Sequence, residues 1–258
     1  MGTKKLNEQE WQEYVTKCAT GAWPIPRAMI SDQEDWVCRA VVGRALYFKK
    51  YVEDAMVVLS TVLDEEPDME APSDTSMSQA EHKVLCLRDI AEIVWDLAKQ
   101  GEASLQYLDR AFELARSYEH PFRTDARGDI WYRRLNVLAG MGRVEEAEAE
   151  AKRMIAEERA CSHAPQRKED PPSRVNPYIY FSLRFLAEQA YAQGRVADAC
   201  SLFEDAFAYY PLSEAGERDV QRAVATTDPE QRYKAFKMCT TMQYLPWEKR
   251  PKVVIDRG

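Results

Sequence analysis

The side chains most able to do chemistry are few. Cys161-Ser162-His163 places a thiol two residues from an imidazole. A nucleophilic cysteine needs a histidine within hydrogen-bond reach and a third group that orients it. This tripeptide lies in the Pro-rich run SHAPQRKEDPPSRV, which offers no rigid frame. The other histidines, His82 and His120, are distant in sequence, and a zinc site needs four ligands. Carboxylates stand side by side at Glu65/Glu66 and Glu169/Asp170. General acid–base work requires such groups in a cleft of low dielectric, whereas these fall at helix ends or in linkers. The chain has no Gly-rich phosphate loop, no HExxH and no GxSxG. The expectation is a protein that is not an enzyme and that needs neither cofactor nor metal.

Composition narrows the classes further. With 45% hydrophobic residues, the 258-residue chain can bury a core. Its ten glycines and many helix formers point to α structure. A net charge of -8 opposes non-specific binding to nucleic acid, which calls for a basic footprint. The six cysteines form no CxxC pair, and Cys38, Cys86 and Cys200 stand where a helix wants a small apolar residue. Reduced, buried thiols are expected, hence a cytoplasmic location. No window approaches the ~18 apolar residues of a membrane span, and the start MGTKKLNEQEW has no apolar stretch of the kind a signal peptide carries.

Helix signals then divide the chain. Asn7 with Glu10 makes a capping box for a first helix over 8–19, with Trp11, Tyr14, Val15 and Cys18 on its apolar face and Gly21 as its stop. Ser31 with Glu34 predicts a second box, starting a helix over 32–48, followed by one over 52–65. Ser78 with Glu81 opens a helix over 79–99, and a partner runs over about 103–119. Thr124 or Asp125 caps the next helix, which a Glu-rich helix follows. Asn176 caps another, with Pro177 in its first turn. Helices over 213–226 and 228–242 close the pattern, and 243–258 is a tail without helix character.

One stretch, YFSLRFLAEQAYAQGRVADACSLFEDAFAYYP over 180–211, resembles a tetratricopeptide (TPR) helical hairpin. Leu186, Ala187, Tyr191, Gly194, Ala199, Phe203, Ala206 and Pro211 fall in the order of small and large residues that this signature demands. Setting Ala55 on the alanine of Ala199 puts Gly43 on the signature glycine, Leu59 on the Phe position and Pro67 on the terminal Pro. Weaker copies place Ser104 and Ala147 on the small position. In the copy around Ala147, Leu135 replaces the signature glycine, which predicts a splayed hairpin. The intervals of 49, 43 and 52 residues exceed the roughly 34 of a strict array, through linkers and longer helices.

The resemblance implies an all-α chain forming one solenoid domain. Residues 32–211 would supply four antiparallel hairpins in a right-handed superhelix. An N-terminal helix and loop over 8–30 and a C-terminal pair over 213–242 would cap its ends. It also implies a concave groove lined by the first helix of each hairpin, which binds protein or peptide segments. The residues it places there are Arg44 and Tyr47, Arg88 and Trp95, Tyr132 and Asn136, and Arg184 and Tyr191. Arginines interleaved with aromatic rings suit an acidic or carboxylate-ended segment with apolar anchors. The same arginines could instead pair internally with Glu92, Asp129 and Glu188. An adaptor or scaffold is thus the leading expectation. A peptide-responsive regulatory sensor, an enzyme with an unrecognised helical site and self-assembly into a homo-oligomer are the alternatives.

Overall fold

The computed structural model describes residues 6–22, 24–68, 77–117, 124–160, 163–164, 176–210, 212–242 and 254–255. Among the described residues, the regular structure is all helical apart from two strands of two residues each. The helices fall into two compact units, residues 1–118 and 119–258, with two antiparallel hairpins in each.

The first unit holds α1 (Glu8–Ala19), α2 (Trp36–Phe48), α3 (Val52–Ser60), α4 (Gln79–Ala98) and α5 (Gly101–Ser117). The capping boxes of Asn7/Glu10 and Ser78/Glu81 form as the sequence predicts. The box expected at Ser31/Glu34 does not. Asp32 turns back to the Glu34 amide, and Asp35 caps a helix that starts four residues later, at Trp36. α3 also ends earlier than expected, at Ser60, and tighter i→i−3 turns carry the chain to Glu65. A lysine from the next helix serves the carbonyls that lie beyond this end. The buried Lys83 ammonium donates to the carbonyls of Val62, Leu63 and Glu65, at 2.5, 2.8 and 2.5 Å. Those carbonyls are satisfied without a further helical turn. Lys49 does the same for α1, donating to the carbonyls of Lys17 and Cys18 at 2.9 and 2.8 Å. Trp11, Tyr14, Val15 and Cys18 bury the apolar face of α1 in one core with Val42, Leu46, Val58 and Leu59. α1 therefore packs on the first hairpin, chiefly along α2.

The second unit holds α6 (Thr124–Gly140), α7 (Val144–Ala160), α8 (Pro177–Ala192), α9 (Val196–Phe207), α10 (Glu214–Ala225) and α11 (Pro229–Met242). Asn176 caps α8, with Pro177 in its first turn. α8 is the most enclosed helix of this unit because α6, α7 and α9 all pack on it. In the C-terminal pair, the second helix makes the fuller contact: α11 lies along α9 and inserts Phe236 between Phe203 and Phe207. The two strands, β1 (His163–Ala164) and β2 (Val254–Ile255), pair antiparallel, His163 opposite Ile255. Part of the C-terminal tail is thus held against the linker that follows α7. Trp247 and Val253 lie outside the described residues, as do Cys161, Ser162, Glu169 and Asp170.

Three hairpins share one turn. In Lys49-Lys50-Tyr51, Met141-Gly142-Arg143 and Gln193-Gly194-Arg195, the middle residue is left-handed, at φ 69, 84 and 77°. The third amide reaches back five residues in each case, to Leu46, Leu138 and Ala190. The turn of the second hairpin is shorter, residues 99–100, and Lys99 is left-handed there. Only glycine takes this conformation without strain, so Lys50 stores energy that Gly142 and Gly194 do not. Lys50→Gly is expected to raise stability by about 0.5–1 kcal/mol, and Gly194→Ala to lower it by about 1 kcal/mol. Thermal melts of the two variants moving in the same direction would contradict this.

The same register brings the signature positions together. Ala55, Ala147 and Ala199 are completely buried, each four residues past its turn. Ser104 takes this place in the second hairpin and donates its hydroxyl to the Ala91 carbonyl at 2.8 Å. Where α2 meets α3, Gly43 lies against Leu59: a Cβ on Gly43 would come within 2.7 Å of the Leu59 side chain. The corresponding pair in the fourth hairpin is Ala187 with Phe203, again small then large. In the third hairpin the sizes are exchanged, Leu135 on the first helix and Ala151 on the second, both fully buried.

Five described cysteines are free. Cys18, Cys86 and Cys200 are buried, while Cys38 and Cys239 are half-buried. Burial pushes the Cys18 thiol up to about 11 and the Cys86 thiol up to about 12. A thiol held neutral in the fold but ionised in the unfolded chain stabilises fully below about pH 9. That contribution is lost as pH rises toward the folded value. The unfolding free energy of the first unit should fall above pH 9, by up to about 1.4 kcal/mol per pH unit for each such thiol, and the urea midpoint should fall with it. A midpoint constant to pH 10.5 would show that neither thiol is shielded.

Candidate binding faces

Within each unit, the first helices of the two hairpins bring the predicted residues together. On the first, α2 and α4 are joined by polar side chains. Arg44 donates through Nε to Asp89 at 3.1 Å, and Arg88 donates through its own Nε to the other oxygen of Asp89 at 2.8 Å. The Asp89 side chain is completely buried, while the two arginines keep 16 and 13% exposure. The Tyr47 hydroxyl donates to Glu92 at 3.0 Å. The Arg44 guanidinium lies over the Phe48 ring at 5.8 Å, and the Lys99 ammonium over Trp95 at 5.4 Å. Phe48, at the end of α2 beside Arg44, is an exposed apolar residue, as is Leu97 near the end of α4.

On the second unit, α6 and α8 carry the counterpart. The Tyr132 hydroxyl donates to Glu188 at 2.5 Å, and Arg184 donates through Nε to the same carboxylate at 3.1 Å. The Arg184 guanidinium stacks on the Tyr132 ring at 4.5 Å. Burial pushes the Tyr132 phenol above the usual tyrosine range, and Glu188 adds to this while Arg184 opposes it. The hydroxyl therefore stays protonated and remains a donor. Asn136 donates to the Tyr132 carbonyl at 2.8 Å. Tyr191 stacks flat on Tyr233 of α11 at 3.7 Å and donates to Glu230 at 2.9 Å.

Arg44, Tyr47 and Arg88 therefore meet the α4 carboxylates Asp89 and Glu92, and Tyr132 and Arg184 meet at Glu188; Trp95 faces Lys99, Asn136 bonds within its own helix and Tyr191 pairs with α11. Internal pairing also occurs, partly as anticipated. Glu188 holds Arg184 and Glu92 holds Tyr47, while Asp129 takes Arg133. The partner of Arg44 and Arg88 is Asp89, which the sequence reading did not single out. It also missed Lys237 on α11, which reaches Glu188 and adds a cation to a face whose expected set lacked lysine. No motif marks Lys237; only the packing of α11 across α8 brings it there.

Among the described residues, no helix is long and apolar enough to cross a membrane. No protein-family model and no curated protein matches the chain.

Proposed function

We propose that this chain is a non-catalytic scaffold or adaptor that binds protein or peptide segments, built from TPR-like hairpins. The reading rests on one observation above the rest: the arginines and aromatic rings predicted for a groove gather on adjoining first helices, in both units. Their buried acid partners make the faces rigid before any ligand arrives, which lowers the ordering cost of binding. The ligand this chemistry favours is an extended segment, acidic or ending in a carboxylate, with apolar anchors for Phe48, Leu97 and Trp95. Free thiols fit a cytoplasmic setting.

Affinity capture with the full chain tests this, run beside an Arg44→Ala/Arg184→Ala variant. The expected result is a stoichiometric protein or peptide ligand held by the parent and lost from the variant. Calorimetry should then show about 1.5–3 kcal/mol lost per charged hydrogen bond, and weaker binding as salt rises. A ligand held equally by both proteins would place the binding surface elsewhere.

A further inference from the structure

Arg44 and Arg184 share an arrangement that neither helix position nor sequence context repeats. Each donates to an internal carboxylate through Nε, at 3.1 Å in both cases. Each brings its guanidinium carbon within cation–π range of an aromatic ring, 5.8 Å from the Phe48 centroid and 4.5 Å from that of Tyr132. In both, Nη1 and Nη2 hold no hydrogen bond among the described residues, yet neither nitrogen is sealed from solvent. A guanidinium tied at Nε beside a ring has fewer orientations open to it. Its remaining edge is a planar pair of donors, matched to the two oxygens of a carboxylate.

We propose that Asp89 and Glu188 are positioning residues that hold Arg44 and Arg184 as two-donor forks for a ligand carboxylate. This rests on the reading of these faces as binding surfaces. It makes a claim that electrostatics alone would reverse. If Glu188 merely neutralised Arg184, removing it would strengthen anion binding. If Glu188 aims the fork, removing it weakens binding despite the gain in positive charge.

Titration of the full chain with acetate, and separately with inorganic phosphate, decides between these, with arginine side-chain nitrogen resonances as the readout. Acetate should shift the Nη signals of Arg184 and Arg44 saturably and leave the Nε signals nearly still. Glu188→Ala should raise the acetate Kd at Arg184 about tenfold. Glu188→Gln keeps an acceptor for Nε and should bind at least as tightly as the parent. Tighter binding by Glu188→Ala overturns the proposal, as does a response to phosphate alone. Glu188→Met, which keeps the side chain's bulk and removes the acceptor, provides the same comparison should Glu188→Ala fail to fold. If acetate moves neither arginine while Arg44→Ala/Arg184→Ala still abolishes partner capture, the forks fail and the binding faces stand.

Discussion

Gly128→Ala is expected to cost the second unit about 2–3 kcal/mol. An exposed helical glycine replaced by alanine would normally gain up to about 1 kcal/mol from helix propensity. Gly128 sits in α6 where α8 crosses it. A Cβ there would stand 2.4 Å from the Phe181 ring, 2.8 Å from the Pro177 Cβ and 2.8 Å from the Pro177 carbonyl oxygen. Two of these atoms cannot swing aside: one is backbone and one belongs to a proline ring. α8 must move as a body, and α8 is the helix on which α6, α7 and α9 pack. Urea denaturation of the variant should show a lower midpoint for the second unit with the first unit unchanged. A midpoint equal to or above the parent's would mean that the two helices do not approach so closely.

Asp89→Ala should destabilise the first unit by about 3–5 kcal/mol. The carboxylate is inaccessible to solvent and receives a charged hydrogen bond from α2 and another from α4 itself. Its loss leaves Arg44 and Arg88 facing each other, mostly buried and uncompensated. Their long stems can carry the charges some way toward water, which favours the lower end of the range. Asp89→Asn should lie between the parent and Asp89→Ala. Replacing all three side chains by apolar ones of similar volume should restore most of the loss, since such substitutions remove the buried charges altogether. An Asp89→Ala variant within about 0.5 kcal/mol of the parent would show that the ion cluster does not tie α2 to α4.

Most of the helical frame could be read from local signals because those signals are local in origin. Asn7/Glu10, Ser78/Glu81 and Asn176-Pro177 satisfy backbone donors within three residues of themselves, so their structure agrees with their sequence. The failures have distant causes. Ser31 and Glu34 spell a capping box, yet Asp35 takes the cap. Beyond Ser60 the chain tightens to i→i−3 turns, and Lys83, some twenty residues on, holds the carbonyls of Val62, Leu63 and Glu65 that follow. Asp89 was invisible as a site residue because a buried acid on a helix has no spacing rule; it is identified only by the two arginines that converge on it. Lys237 and Tyr233 join the second face through the packing of α11, an element that carries none of the repeat signature.

The exchanged pair of the third hairpin bears on how such repeats drift apart. Gly43 with Leu59, Ala187 with Phe203 and Leu135 with Ala151 occupy matching positions sixteen residues apart. What persists between hairpins is one small side chain and one large one, not an identity at either position. A lineage moving from one arrangement to the other must pass through a cavity or a clash, each a penalty of a few kcal/mol. Substitutions at these positions are therefore coupled, and a record of their ancestry would show them changing together. A description that weighs each position alone counts Leu135 and Ala151 as two departures, although they are a single exchange of small for large.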